Sequence, residues 1–335
     1  MSDSGPTSTV RVLLSLNAPG TTTGYVDQIA ANMPSDVELS YFSWLAALTG
    51  RYDVFHVHWP EWLVRDDSRL KAWGKRQALR VLMWRLSILR VPVIRTVHNI
   101  GPHETGASPE TRVLRKLEAR TRLYIRLNDS TQLPHGVEAV TILHGHYREQ
   151  FQKFLGAAVV PGRMLHFGII RPYKGIDELL GAFRTANIPD TTLRIVGRSS
   201  SDELTGLIKG AESDDARVSS RLEYVDDATL VLEISKAEVV ILPYKQMHNS
   251  GALLAALSVD RPVVVPASSA NQILSAEAGD SWIIQYGGEL TGRVLEEALT
   301  QVRNATRSSS PNLDARDWEV VADSHAVAYR RIARR

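Results

Sequence analysis

The sequence predicts an α/β protein of two doubly wound, Rossmann-like domains, and three observations support this fold class. Short β-branched or aliphatic runs alternate with helix-like stretches throughout the chain. The alternation falls into two series, which the small residues and the proline of 156–162 separate. A chain of 335 residues also suits two domains better than one large core.

The first series defines a domain that we place at 1–158. Its predicted strands are 10–16, 53–58, 91–98, 122–127 and 139–143, and its clearest helices are 24–33 and 69–90. In sheets of this kind, ligands bind beyond the carboxyl ends of the strands. We therefore expect the functional residues of this domain directly after its strands.

The second series defines a domain at 159–312, in which strands and helices alternate more regularly. Its strands are predicted at 163–168, 192–197, 221–225, 238–243, 262–265 and 281–284. Helices are predicted at 175–186, 202–210, 228–236 and 250–258. Residues 303–316 have the composition of a polar connector, and a final helix is predicted at 317–334.

Composition and charge exclude several functional classes. The residues are 44% hydrophobic and 23% charged, which is typical of a globular protein. The sequence shows neither an apolar run long enough to span a bilayer nor a signal-peptide pattern, so we expect a cytoplasmic protein. The absence of cysteine excludes disulfides, thiolate metal ligands and cysteine nucleophiles. A net charge of +2 is too small to indicate nucleic-acid binding.

The stretch LHFGIIRPYKGIDELLGAF, residues 165–183, predicts a phosphate site. A strand ends at Gly168, two cations follow at Arg171 and Lys174, and a helix begins after Gly175. Backbone N–H groups and the helix dipole at such a turn attract an anion, and the cations strengthen that attraction. A surface loop with two solvated cations is the simpler alternative.

A second turn of this kind occurs within ILPYKQMHNSGALLAALSVDRPVVVP, residues 241–266. A helix opens there at Asn249, Ser250 and Gly251, where small residues let a ligand approach the N-terminal amides. An ordinary helix N-cap would have the same sequence. Two such turns in one domain favour a phosphate-binding site.

These motifs resemble the donor-binding domain of GT-B glycosyltransferases, in which two Rossmann-like domains face each other across a cleft. The resemblance implies that Arg171 and Lys174 face the diphosphate of a nucleotide sugar and stabilise the leaving nucleoside diphosphate, with no cofactor required. It also implies that the segment 313–335 is a helix returning toward the N-terminal domain. The implied donor-binding residues are Gly168, Arg171, Lys174, Gly197, Arg198, Tyr244, Asn249, Ser250 and Gly251.

The sequence departs from one part of the GT-B pattern. Retaining members of the large sucrose-synthase-like group carry two glutamates, eight positions apart, around this helix. The matching positions here are Met247 and Ala255, neither of which is acidic. The departure favours an inverting mechanism and leaves a retaining hexosyltransferase that uses a UDP-sugar as an alternative.

The first domain adds the motifs FHVHWPEWL (55–63), TVHNIGPHE (96–104) and ILHGHY (142–147). As a set they resemble bacterial exopolysaccharide β-mannosyltransferases of the xanthan type, which invert the anomeric centre and use GDP-mannose. The acceptor-side residues that this resemblance implies are Gly20, Thr22, His58, Trp59, Asn99 and His144.

An inverting transfer needs a base that takes the proton of the acceptor hydroxyl. The candidates are Glu104, Glu61 and His98, and Glu104 ranks first because a Gly-Pro loop can carry it to the ligand. A solvated or salt-bridged carboxylate is the simpler interpretation of each glutamate. His56 and His58 share a strand face, but no carboxylate cluster or HExxH helix accompanies them, so we predict no metal site.

Residues 69–90 carry seven Arg or Lys residues and no acidic residue, interleaved with Trp and aliphatic side chains. Basic amphipathic segments with aromatic residues can lie in an anionic bilayer interface, which would place the protein at the inner face of the plasma membrane. A buried helix with a solvated basic edge is the alternative.

The sequence therefore predicts a glycosyltransferase that moves a hexose, with mannose from GDP-mannose favoured, to a lipid-linked or other saccharide acceptor. A nucleotide-sugar epimerase or a non-catalytic sugar-nucleotide binding protein of the same architecture remains as an alternative.

Overall fold

The structure is a computed structural model that describes residues 9–18, 24–98, 108–245 and 251–334. The chain forms two compact units, Met1–Gly145 with Ala315–Arg335, and His146–Asp314. The segment 146–158, which we assigned to the first domain from sequence, belongs to the second unit. Its side chain Phe151 is buried in the core of that unit.

The first unit contains a parallel six-stranded sheet with the order β2-β1-β3-β4-β5-β6. The strands are β1 (Val10–Leu14), β2 (Val37–Ser40), β3 (Val54–Val57), β4 (Val93–Val97), β5 (Thr121–Arg126) and β6 (Ala139–Thr141). The helices before residue 145 are α1 (Gly24–Ala31), α2 (Trp44–Thr49), α3 (Arg69–Ile88) and α4 (Ser108–Glu118), and a 3-10 turn spans Pro60–Leu63. The order reverses between β1 and β3, so their carboxyl ends flank the crevice where such sheets bind ligands.

The second unit contains a parallel six-stranded sheet with the order β12-β11-β10-β7-β8-β9. Its helices are α5 (Arg148–Phe151), α6 (Ile176–Thr185), α7 (Asp202–Asp214), α8 (Asp227–Lys236), α9 (Gly251–Ser258), α10 (Ser269–Ala278) and α11 (Gly292–Asn304). Its strands are β7 (Arg163–Phe167), β8 (Thr192–Val196), β9 (Val218–Arg221), β10 (Val239–Ile241), β11 (Val263–Pro266) and β12 (Ile283–Tyr286), and a 3-10 turn spans Pro172–Lys174. This is the Rossmann strand order, with its switch point between β7 and β10.

The last helix, α12 (Trp318–Ala333), packs on the sheet of the first unit. Trp318 and Tyr329 are almost fully buried among the apolar residues of β1 and α1. A Cβ atom on Gly145 would overlap the indole of Trp318, so the backbone at Gly145 packs directly against the first residue of this helix. The predicted return of the C-terminal helix to the N-terminal domain is confirmed, as is the α/β class with two parallel sheets.

Two groups of elements differ from the sequence prediction. The strand predicted at 221–225 is wrong, because β9 occupies Val218–Arg221 and lies at the sheet edge, where half of its residues are polar and exposed. The short elements β2 and α2 and the polar helices α4, α10 and α11 were not predicted. Among the described residues, no helix is both long enough and apolar enough to cross a bilayer.

Candidate active site

In the second unit, the turn after β7 contacts the turn after β10 at the switch point. The backbone N–H of Lys245 donates to the carbonyl oxygen of Tyr173 over 2.9 Å. Gly175 adopts φ 66°, and a Cβ atom there would overlap the carbonyl oxygen of Pro243. Only glycine permits this combination of backbone angle and close approach, so the sequence fixes how the two turns meet.

The turn after β8 joins the same cluster. The N–H of Gly168 donates to Val196 over 3.0 Å, and that of Ile170 donates to Arg198 over 2.9 Å. Gly197 has φ 135°, and a Cβ atom on it would overlap the carbonyl oxygen of Gly168. The structure thus brings together the predicted residues Gly168, Gly197 and Arg198, of which Arg198 is exposed.

Lys174 and Arg171 supply positive charge at this cluster. The Lys174 ammonium lies 4.8 Å from the centre of the Tyr244 ring, in a cation–π contact. Burial lowers the pKa of Lys174 to about 8, and the neighbouring charge of Arg171 adds to this effect. Neither cation forms an ion pair with a carboxylate of the described residues, whereas Lys245 contacts both Asp177 and Glu178. Two cations without carboxylate partners among the described residues thus lie at the switch point of this sheet.

Two polar atoms beside Lys174 are buried and have no hydrogen-bond partner among the described residues. They are the hydroxyl of Tyr244 and Nε2 of His166. The other ring nitrogen of His166 lies 3.0 Å from the carbonyl oxygen of Ile241. Burial, with a smaller contribution from the charge of Lys174, lowers the pKa of His166 to about 4, so this ring is neutral at neutral pH. Sequence reasoning missed His166 because it lies inside a strand.

The helix α9 provides the third part of the predicted donor site. Gly251 begins it, and the hydroxyl of Tyr147 lies 3.0 Å from where a Cβ atom on Gly251 would be. Sequence reasoning did not select Tyr147, although it ends the motif ILHGHY. Ala255 is buried in α9, whereas Asn249, Ser250 and Met247 lie outside the described residues.

In the first unit, the predicted histidines meet at the carboxyl ends of β3 and β4. Nδ1 of His58 lies 3.1 Å from Nε2 of His98. The backbone N–H of His58 donates to the hydroxyl of Ser15, which follows β1, over 3.0 Å. These contacts place both rings at the switch point of this sheet.

Tyr25, in α1, connects the other predicted residues to this pair. Its ring centre lies 5.3 Å from that of His98 and 4.9 Å from that of His144. The Tyr25 hydroxyl is buried, and it has no partner among the described residues. Trp59 stacks on His98 with ring centres 4.1 Å apart. Sequence reasoning missed Tyr25, because only the fold brings α1 to the strand ends.

Burial keeps these histidines neutral. It lowers the pKa of His144 to about 4. Together with a smaller effect of neighbouring histidines, it lowers the pKa of His58 to about 3 and that of His98 well below its usual value. A ring with so low a pKa is a weak proton acceptor, since general bases work best near the operating pH. His98 is therefore a weaker base than a solvent-exposed imidazole.

His56 has a structural role. Its two ring nitrogens lie 2.8 Å from the hydroxyl groups of Tyr329 and Thr96, and its side chain is fully buried. Both nitrogens are engaged, so His56 does not reach a ligand together with His58. Across the described residues, no three His, Asp or Glu side chains are grouped as metal ligands.

Glu61 lies in the 3-10 turn after β3, next to Trp59. It is half-buried, and its carboxylate makes no hydrogen bond or ion pair with the described residues. The remaining predicted residues of this unit lie outside the described residues: Gly20, Thr22, Asn99 and Glu104.

Comparison with known proteins identifies the family. The chain is 42% identical to a GDP-mannose:glycolipid 4-beta-D-mannosyltransferase from Xanthomonas campestris pv. campestris, over 96% of this chain and 92% of the relative. The chain belongs to this mannosyltransferase family. It is therefore a glycosyltransferase, as the sequence motifs predicted.

Solved structures support the same fold for this mannosyltransferase family member. HepE from Anabaena, in complex with UDP and glucose, matches with a TM-score of 0.61 and 15% identity, over 97% of this chain and 98% of HepE. WaaG, a glycosyltransferase involved in lipopolysaccharide biosynthesis, matches with a TM-score of 0.54 and 15% identity, over 97% and 98%. The GT-B architecture is thus confirmed. No protein-family profile matches the sequence.

Proposed function

We propose that this glycosyltransferase transfers mannose from GDP-mannose to a glycolipid with inversion at the anomeric carbon. The proposal rests on the cations Arg171 and Lys174, which lie at the switch point of the second unit and form no ion pair with a carboxylate of the described residues. The choice of donor and acceptor is supported by the relative that is 42% identical, whose name specifies GDP-mannose and a glycolipid.

In this reaction the acceptor oxygen attacks the anomeric carbon as the bond from that carbon to the diphosphate oxygen breaks. Negative charge then develops on the departing GDP. Arg171 can donate two parallel hydrogen bonds to phosphate oxygens, and the Lys174 ammonium provides a compact positive charge. Both groups stabilise charge that is larger in the transition state than in the bound donor, which is the condition for lowering the barrier.

The phosphate contact is tested with Arg171→Ala and Lys174→Ala. We expect each variant to bind GDP about 10- to 100-fold more weakly, since charge-assisted hydrogen bonds contribute about 1.5–3 kcal/mol. Guanosine binding should change little, because guanosine carries no phosphate. Arg293→Ala, on an exposed face of α11, is the matched control. Equal losses for GDP and guanosine would contradict the assignment.

A carboxylate is proposed as the base that takes the acceptor proton. Glu104 and Glu61 are the candidates, and the carboxylate of Glu61 has no partner among the described residues. Glu104→Gln and Glu61→Gln keep the shape of the side chain and remove its basicity. Loss of the true base should lower turnover about 10²- to 10⁴-fold without weakening GDP binding. Near-normal turnover in both variants would exclude a carboxylate base at these positions.

A membrane surface is proposed on α3, because a glycolipid acceptor resides in a bilayer. One face of α3 is buried against the sheet, and the opposite face carries an exposed apolar stripe at helical spacing. The stripe comprises Leu70, Trp73, Val81, Trp84 and Ile88. The exposed cations Lys71 and Arg80 project from its two flanks. Helices with apolar and aromatic stripes between cations bind anionic bilayer interfaces.

A further inference from the structure

Three aromatic rings form a continuous stack at the carboxyl edge of the first sheet. The Trp59 ring lies 4.1 Å from the His98 ring at an interplanar angle of 16°. Trp62 continues the row, 4.9 Å from Trp59 at an angle of 25°. His98 and Trp59 are half-buried, and Trp62 is 51% exposed. The row thus runs from a half-buried histidine to an open aromatic ring.

Local structure holds these rings in place. Trp59 precedes the 3-10 turn Pro60–Leu63, and residues three apart in a 3-10 helix lie above one another. Pro60 restricts the backbone where the turn begins. At the inner end, His98 is held by its contact with His58. The outer indole therefore has a fixed orientation before any ligand arrives, which reduces the entropy lost on binding.

We propose that the stacked rings of Trp62, Trp59 and His98 form a platform on which a pyranose ring of the acceptor lies. A pyranose has a face of C–H groups and a rim of hydroxyl groups. The C–H face covers an exposed indole and releases water from it, and the rim remains available for hydrogen bonds. Glu61 lies in the same turn as Trp62 and supplies a carboxylate that can accept such bonds.

The location of the platform favours a saccharide over a lipid tail. The stack follows β3 and β4, at the sheet edge where Rossmann-like domains bind polar ligands. The apolar stripe of α3 is continuous along a helix, whereas Trp62 is backed by a second indole and a histidine. This inference rests on the proposed function, because it assigns a contact to the acceptor of that reaction.

Saturation-transfer NMR with methyl β-D-glucopyranoside tests the platform directly, and sorbitol serves as the ring-free control. The full-length wild type should transfer saturation to the C–H protons of the glycoside and not to sorbitol. Trp62→Ala and Trp62→Leu should weaken the signal about tenfold or more, as truncation of a central tryptophan does at other interfaces. Trp62→Phe should retain it, because it keeps an aromatic face. Leu45→Ala, an exposed apolar truncation on α2, should match the wild type.

Two further measurements on the same samples separate the possible outcomes. Thermal shift with GDP-mannose reports on the proposed function. If GDP-mannose does not raise the melting temperature of the wild type but the glycoside still binds, GDP-mannose is rejected as the donor and the platform is kept. Sedimentation with anionic phospholipid vesicles reports on the membrane. The platform is overturned if the wild type does not bind the glycoside, or if Trp62→Leu binds it normally. It is also overturned if Trp62→Ala reduces vesicle binding alone.

Discussion

The ammonium group of Lys174 should make donor binding depend on pH. Burial lowers its pKa to about 8 in the free protein, with a smaller contribution from Arg171. A bound diphosphate stabilises the charged form and raises this pKa, so binding takes up a proton above about pH 8. The affinity for GDP-mannose should therefore be constant below about pH 8 and fall, by up to about tenfold per pH unit, above it.

Calorimetric titrations with GDP-mannose from about pH 7 to about pH 9 measure this dependence. Lys174→Arg is the control, because a guanidinium remains charged across the range. The variant should show the same affinity at both ends. A wild-type affinity that does not fall above about pH 8 would show that Lys174 keeps its charge without the donor, or that it does not face the phosphate.

At the residue scale, the sequence predicts side chains whose chemistry follows from one local segment. Gly168, Arg171 and Lys174 are close in sequence, and the strand-to-helix turn alone suggests their role. Tyr25 and His166 could not be found in this way. Each belongs to a regular element, α1 for Tyr25 and β7 for His166. The unpartnered polar atom that marks each one exists only because tertiary packing buries it.

The helix α3 should bind anionic vesicles through its exposed stripe. The double variant Trp73→Ser with Trp84→Ser removes two indole rings that are exposed to solvent. Vesicle binding should therefore fall, while the hydrophobic core of the unit stays intact. Arg80→Glu should weaken binding and reduce its salt dependence, since each cation near an acidic surface contributes about 1 kcal/mol. Arg85 is unsuitable for this test, because its guanidinium donates to the hydroxyl of Tyr52 over 2.9 Å.

Co-sedimentation with phosphatidylglycerol vesicles at low and high salt measures the effect. Leu207→Ser, an exposed apolar residue on α7 of the second unit, is the matched control and should sediment like the wild type. Unchanged sedimentation of both the tryptophan double variant and Arg80→Glu would reject the surface. The same stripe would then require another explanation for its exposure.

At the element scale, sequence patterns predict the buried parallel strands well. The runs at 163–168 and 192–197 are apolar because both faces of the sheet are covered, and they contain β7 and β8. Elements without a continuous apolar run are harder to predict from the sequence. Only one residue of β9 is buried, and α10 begins with small polar residues under a serine cap, so neither has a strong hydrophobic period.

At the scale of the whole molecule, the sequence predicts two Rossmann-like units because strand and helix alternate twice along the chain. It predicts the return of α12 only through the family resemblance, since no local pattern says where a terminal helix packs. The structure supplies the reason: Trp318 and Tyr329 fill the core of the first unit beside β1. The apolar character of Trp318 and Tyr329 predicts that they are buried, but it does not say in which of the two units.

We propose above that this protein is an inverting mannosyltransferase that uses GDP-mannose. The most direct test supplies GDP-mannose, labelled with carbon-13 at the anomeric position, and glycolipids extracted from Xanthomonas campestris. The one-bond carbon–hydrogen coupling at the labelled carbon of the lipid product then reports the anomeric configuration. The donor is α-linked, so inversion gives a β-linked mannosyl product. An α-linked product would contradict inversion, and release of mannose without transfer to lipid would contradict the proposed reaction.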